Sequence, residues 1–278
     1  MKKYNLKIMI STKYRLLLFI PLFFLIGCLE NDDAIFDRKW DLVWQDEFDG
    51  PAGQSPDSTK WTYDIGTDWG NAQLEFDTDR PENVSLDGNG NLAITARRES
   101  FGGQPFTSGR IKTQGLFEQK YGRFEARIKM PFGPGIWPAF WMLGSNITDV
   151  DWPQCGEIDI VEYRGQEPHI MHGSVHGPGY SGCCPITHKF SFPPNRFDTD
   201  FHVYKVEWGK DFIDFFVDDV PYFRVTPEDT PGEWVYNTPF HIILNVAVGG
   251  NFVGFPTSGT MFPQSMLVDY VRVYKQQL

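Results

Sequence analysis

Residues 156–163 read Gly-Glu-Ile-Asp-Ile-Val-Glu-Tyr and set three carboxylates, Glu157, Asp159 and Glu162, among residues suited to a buried strand. Side chains alternate between the faces of a regular strand, so Glu157 and Asp159 share one face and Glu162 falls on the other. One extra residue near Ile160 and Val161, a β-bulge, returns Glu162 to the face of the other two. Like charges so close repel, and a purely structural reason for grouping them is hard to find. Chemistry supplies one. Cleaving a glycosidic bond with retention needs a nucleophilic carboxylate and a protonated carboxylic acid about 5–5.5 Å apart, flanking the anomeric carbon. On this reading Glu157 is the nucleophile and Glu162 the general acid, then the general base. Asp159, between them, hydrogen-bonds the nucleophile, and its charge helps keep Glu162 protonated.

The elements that must hold this trio are strands. In Arg-Phe-Glu-Ala-Arg-Ile-Lys-Met, Phe124, Ala126, Ile128 and Met130 share a face opposite Arg123, Glu125, Arg127 and Lys129, the pattern of a half-buried antiparallel strand. The segment from Asp211 to Val225 reads as a hairpin turning at Asp218-Asp219. Phe-His-Ile-Ile-Leu-Asn-Val-Ala-Val and Leu-Val-Asp-Tyr-Val-Arg-Val-Tyr supply further strands, the latter closing the domain. No stretch has helical periodicity with caps, and no internal repeat is evident. The expected fold is all-β, a curved two-sheet jelly-roll sandwich of the concanavalin-A-like kind.

At 278 residues the chain suits one large all-β domain with a sizeable core. Aromatic residues make up 16%, with nine Trp, enough for some rings to face a ligand. The net charge of −11 repels a phosphate backbone, so no nucleic-acid partner is expected, and a neutral substrate fits better.

Lys2, Lys3, Lys7, Lys13 and Arg15 precede an apolar run, Leu16–Ile26, too short to span a bilayer. The run ends in Leu25-Ile26-Gly27-Cys28, which resembles a bacterial lipobox and implies lipidation of Cys28. Residues 1–27 are then a lipoprotein signal peptide, 28–38 an acidic tether and 39–278 the catalytic domain. The expected location is the outer membrane, through the lipid anchor, with the domain on the cell surface. A plain secretory signal or an uncleaved anchor is the alternative. Cys155, Cys183 and Cys184 allow a disulfide of Cys155 with one of the adjacent pair, but sequence cannot assign connectivity.

Gly-Glu-Ile-Asp-Ile-Val-Glu resembles the active-site signature of glycoside hydrolase family 16 in its bulged form, E-x-D-x-x-E. The resemblance runs from about Trp40 to Tyr274. Its neighbours are similar to the laminarinase-like branch: WQDEFDG at 44–50, GNAQLEFDT at 70–78, SGRIKTQGLFEQKYGRFEAR at 108–127, GIWPAFWML at 135–143, HGPGYSG at 176–182 and LNVAVGGNF at 244–252. It implies a retaining endo-glycosidase acting on β-1,3-glucan (laminarin), on mixed-linkage β-1,3/1,4-glucan, or on both, with no cofactor for catalysis. A monomer is expected.

Trp137 and Trp141, four apart, share a face with Pro138 and Phe140 turned away. As a bare pattern they would more often be core; the resemblance makes them walls of the glycone subsites. It also implies that Trp152 borders the cleavage point, that Asn71 and Arg110 bind sugar hydroxyls, and that His176 meets the sugar on the aglycone side or the acid/base. Phe252 stands where relatives often carry Trp. A structural calcium is implied at Asp269 with carbonyls matching Glu47 and Gly90. His169, His172 and His176 cannot all share one strand face, which argues against zinc. Two other readings stay open: a non-catalytic β-glucan-binding jelly roll, and a same-family hydrolase of a galactan such as agarose, porphyran or carrageenan. Sulfated galactans call for clustered Arg or Lys in the groove, which this acidic chain does not suggest.

Overall fold

The computed structural model describes residues 38–277, so Cys28 and the signal and tether segments lie outside the described residues, apart from Arg38. Two antiparallel sheets account for most of the chain. One has the strand order Ile186–Ser191, Ile170–His176, Glu157–Tyr163, Ile136–Gly144, Phe240–Val248, Arg110–Lys112 and Thr62–Tyr63. The other runs Val220–Val225, Phe212–Val217, His202–Gly209, Gly122–Lys129, Gln264–Gln276, Leu92–Ala96 and Val84–Leu86, and Trp40–Asp46 also pairs with Gln264–Gln276. Glu75–Asp77 and Phe106–Ser108 form a small parallel pair. Helix among the described residues is confined to two 3₁₀ turns, Ser145–Thr148 and Pro227–Asp229. This is the all-β sandwich the strand pattern predicts.

The facing sides of the two sheets make the core, and the alternation is strict where it matters. Phe124, Ala126, Ile128 and Met130 are buried as expected. In the first sheet Ile136, Phe140 and Met142 from one strand and Phe240, Ile242, Leu244, Val246 and Val248 from its neighbour point into that core. Each such side chain contributes roughly 1.5–3 kcal/mol on leaving water. The predicted hairpin forms: Phe212–Val217 and Val220–Val225 pair across Asp218 and Asp219, which both take positive φ, 48° and 65°. Two consecutive left-handed residues give the turn a twist that matches the strands.

Because even-numbered residues of Ile136–Gly144 fill the core, Trp137, Ala139 and Trp141 face the opposite side of the sheet. His241, Asn245 and Ala247, Arg110 and Lys112, and His172, Ser174 and His176 join them by the same alternation. This outer face carries the candidate site.

Candidate active site

Glu157–Tyr163 lies between Ile136–Gly144 and Ile170–His176, paired on both edges. Its register slips once. Against one neighbour Asp159 pairs with Trp141 but Val161 with Phe140; against the other Asp159 pairs with Ser174 but Glu162 with His172. One surplus residue therefore sits between Asp159 and Glu162, where the spacing requires it. The apolar side chains explain the slip. Ile158, Ile160, Val161 and Tyr163 are all buried in the sandwich core, whereas unbroken alternation would bury the Glu162 carboxylate and expose Val161. Burying an unpaired carboxylate costs far more than the ladder hydrogen bond a bulge gives up.

The three acids converge on a small set of donors. Trp152 Nε1 donates to Glu157 Oε2 at 2.6 Å, and Trp137 Nε1 to Glu162 Oε1 at 3.1 Å. His176 Nε2 lies 3.1 Å from Asp159 Oδ2. Gly182 N–H donates to His176 Nδ1 at 3.2 Å, which leaves the proton of a neutral ring on Nε2, facing Asp159. Tyr236 Oη fixes the same residue's backbone by donating to its carbonyl at 2.9 Å. Ser174 Oγ stands 3.5 Å from Glu162 Oε2 and 2.9 Å from Thr187 Oγ1, which donates onward to the Gly173 carbonyl at 3.1 Å.

Burial is the main force on the acids' protons. It raises Glu157 to about 8, with the Asp159 charge adding to it and the His176 ring and Trp152 N–H opposing it. Glu162 rises to about 7, chiefly by burial, and Asp159 rises well above the ordinary range, through burial and then the Glu162 charge. Glu157 and Asp159 are hydrogen-bonded, so they titrate as a pair, and burial makes both hold a proton more tightly than an isolated carboxyl. The Trp152 N–H works against the rise at Glu157 by supporting its carboxylate form. Glu162, raised to about 7, is poised to exchange a proton near neutral pH.

The flanking residues form two sides. Toward Phe240–Val248, Trp141 Nε1 donates to Asn245 Oδ1 at 2.8 Å. The Arg110 guanidinium lies 4.9 Å from both the Trp69 and the Trp141 ring centroids, with Nε 2.9 Å from Asp64 Oδ2. Trp137 packs at 5.1 Å on Phe252, beside Ala247 and Val253. Asn71 is exposed at a φ of 55°, and its carbonyl accepts from Asn251 N–H at 2.8 Å, tying two rim loops together. Toward Ile170–His176, Trp152 is 41% exposed, with its ring 5.9 Å from that of His176.

The structure thus groups Glu157, Asp159, Glu162, Trp137, Trp152 and His176 directly, and Trp141 and Arg110 beside them. His176 Nε2 faces Asp159, and its ring also bears on the Glu162 carboxylate. Trp137 is a hydrogen-bond donor to Glu162, a contact that spacing did not reveal. Ser174, Thr187, Trp69 and Asn245 escaped sequence reasoning, since common residues brought in by strand pairing leave no local signal.

Of the expected calcium residues, Asp269 has its Oδ2 2.6 Å from Arg127 Nη1, and Arg272 holds the Glu47 side chain in a two-pronged pair at 2.8 Å; neither pairing involves the Glu47 or Gly90 carbonyls. The Arg127–Asp269 pair is partly exposed, so a cation binding there would have to displace the guanidinium. Among the described residues the one convergence of three metal-ligand side chains is Glu157, Asp159 and His176, within 4.8 Å of one another, in the candidate site. His169 is apart from it, with Nδ1 2.6 Å from the Asn195 carbonyl. Cys155 is buried and unbridged, so the envisaged disulfide with the adjacent pair does not form.

Comparison with known proteins agrees with the geometry. Glycosyl hydrolases family 16 matches residues 66–271. The chain belongs to this family. It is 42% identical over 264 residues to a beta-glucanase of Rhodothermus marinus, covering 90% of this chain and 91% of that protein. Among solved structures, the laminarinase catalytic domain of Thermotoga maritima MSB8 superposes with a TM-score of 0.82 at 43% identity, over 86% of this chain and all of that one. The endo-beta-1,3-glucanase of Pyrococcus furiosus gives 0.82 at 45% identity, covering 86% of this chain and 96% of that one.

Proposed function

We infer that this family 16 member is an endo-acting glycoside hydrolase that cleaves β-1,3-glucan, and mixed-linkage β-1,3/1,4-glucan, with retention. The observation that carries it is the single bulge that turns Glu162 onto the face of Glu157 and Asp159. Glu162 gives its proton to the glycosidic oxygen as Glu157 attacks the anomeric carbon and forms a glycosyl ester. Asp159, seated against His176, takes up or returns the proton it shares with Glu157, so the nucleophile is charged when it attacks. Glu162, now a carboxylate held by Trp137 and close to Ser174, draws a proton from water, and the hydroxide formed releases the sugar. Trp137, Trp141 and Arg110 form the wall against which sugar rings stack.

The chemistry runs on carboxylates and needs no cofactor; a structural calcium at Asp269 would have to compete with Arg127. All three acids are present and in register, which separates the chain from a purely glucan-binding jelly roll. Export as a lipoprotein anchored at Cys28 in the outer membrane belongs to the same proposal; the basic start, short apolar run and Cys28 support it. Glu157→Gln tests the enzyme. Reducing-sugar release from laminarin and barley glucan is expected to fall by about a thousandfold or more, and unchanged turnover would remove the assignment.

A further inference from the structure

The turn Ser181–Cys184 takes no part in the chemistry above, yet it touches that machinery at two points. Cys184 N–H donates to the Ser181 carbonyl at 3.2 Å, closing the turn, and Gly182 supplies its positive φ of 63°. Gly182 N–H is the donor that sets the His176 ring. A β-carbon on Gly182 would stand 3.8 Å from the edge of the Trp152 ring, so the turn also lines the Trp that holds Glu157. The next two side chains, Cys183 and Cys184, are both exposed, with their sulfurs 2.6 Å apart. That is inside ordinary non-bonded contact. Cys155, in contrast, is fully buried, its thiol pushed to about 11 by burial and by the nearby Glu157 charge.

We propose that Cys183 and Cys184 are an oxidation site: a small-molecule disulfide joins their sulfurs into a vicinal ring that locks the turn and fixes the donor orienting His176. The exchange balances with oxidised glutathione. The Cys183 thiolate attacks one glutathione sulfur and expels the other half as a thiolate. The Cys184 thiolate then displaces the remaining glutathione from the mixed disulfide. One protein S–S bond forms, the glutathione S–S bond breaks, and two electrons and two protons end on two glutathione thiols. In the reduced state the Cys184–Ser181 backbone hydrogen bond closes the turn and Gly182 reaches His176; the ring adds a covalent brace to that placement. Oxidation therefore acts on the seat of Asp159 and on the Trp152 side of the cleft, without contact with Glu157 or Glu162.

Tryptic peptide 165–189, bounded by Arg164 and Lys189, contains both cysteines and no other. The full chain is treated with oxidised glutathione or with a phosphine reductant, denatured in iodoacetamide and digested. After oxidation, monomeric protein is expected to give this peptide two hydrogens lighter and unalkylated; after reduction, alkylated twice, with Cys155 alkylated in both. The KM for laminarin, a choice that rests on the function inferred above, should be about fivefold lower in the oxidised form, the size of one positioning hydrogen bond. The double variant C183S/C184S should respond to neither reagent. Two alkylated cysteines after oxidation, or glutathione adducts or linked dimers in place of the ring, overturn the proposal. So does an equal KM for the two forms once their masses are verified. The mass readout decides the ring's existence even where laminarin is not turned over, a result that would count against the assigned substrate instead.

Discussion

Replacing Trp137 by Phe removes one atom group of known position, the indole N–H 3.1 Å from Glu162 Oε1, and keeps a ring to pack on Phe252. A hydrogen bond to a charged group contributes about 1.5–3 kcal/mol, and one pKa unit corresponds to about 1.4 kcal/mol. The lost donor favoured the carboxylate, so Glu162 should hold its proton about one to two pH units longer, starting from about 7. On the proposed mechanism Glu162 must be protonated to act, so the alkaline limb of kcat/KM on laminarin should move up by that amount. The smaller ring also stacks less well on a sugar. That loss raises KM by a similar factor at every pH and leaves the limb where it was, so a full profile from pH 4 to 10 separates the two effects. An alkaline limb that stays in place, or moves down, would refute the role given to the indole N–H.

Thr187→Val should move the same limb the other way. Thr187 now accepts the Ser174 proton and passes its own to Gly173; without it Ser174 donates to Glu162, stabilises the carboxylate and brings the limb down by about one pH unit or less. Glu75 is held by burial at about 7, so its folded pKa is raised. Its favourable contribution is complete below about 4.5 and lost as pH climbs through about 7, a loss on the order of 3 kcal/mol. Glu75→Gln keeps an oxygen for the Val248 N–H, and should raise the melting temperature at pH 8.5 by several degrees, with no gain at pH 4.5. Because Arg127 holds Asp269, EDTA should leave the melting temperature unchanged; a fall reversed by added calcium would show that the ion displaces the guanidinium.

The fold was legible wherever burial alternates cleanly. Phe124 to Met130 announce a half-buried strand, and Asp218-Asp219 between apolar runs can only turn. The bulge was legible for the opposite reason, since three acids and four apolar residues cannot be sorted onto two faces without one irregularity. Trp137 and Trp141 could be put on one side by counting, but counting says nothing about where an indole N–H points. Ser174 and Thr187 were invisible because their meeting depends on how two non-adjacent segments register. The pairing of Asp269 with Arg127 was likewise invisible, because that arginine comes from a paired strand and a short motif carries no record of such a neighbour.

The acids sit in mid-sheet, with a fully bonded neighbour on either side. Shifting either one would tear two ladders at once, so the scissors are bolted to the bench while the jaws, built from the rim segments around Asn71, Trp152 and Phe252, can be recut. A descendant with a different diet should therefore differ in those segments and keep its cutting edge letter for letter.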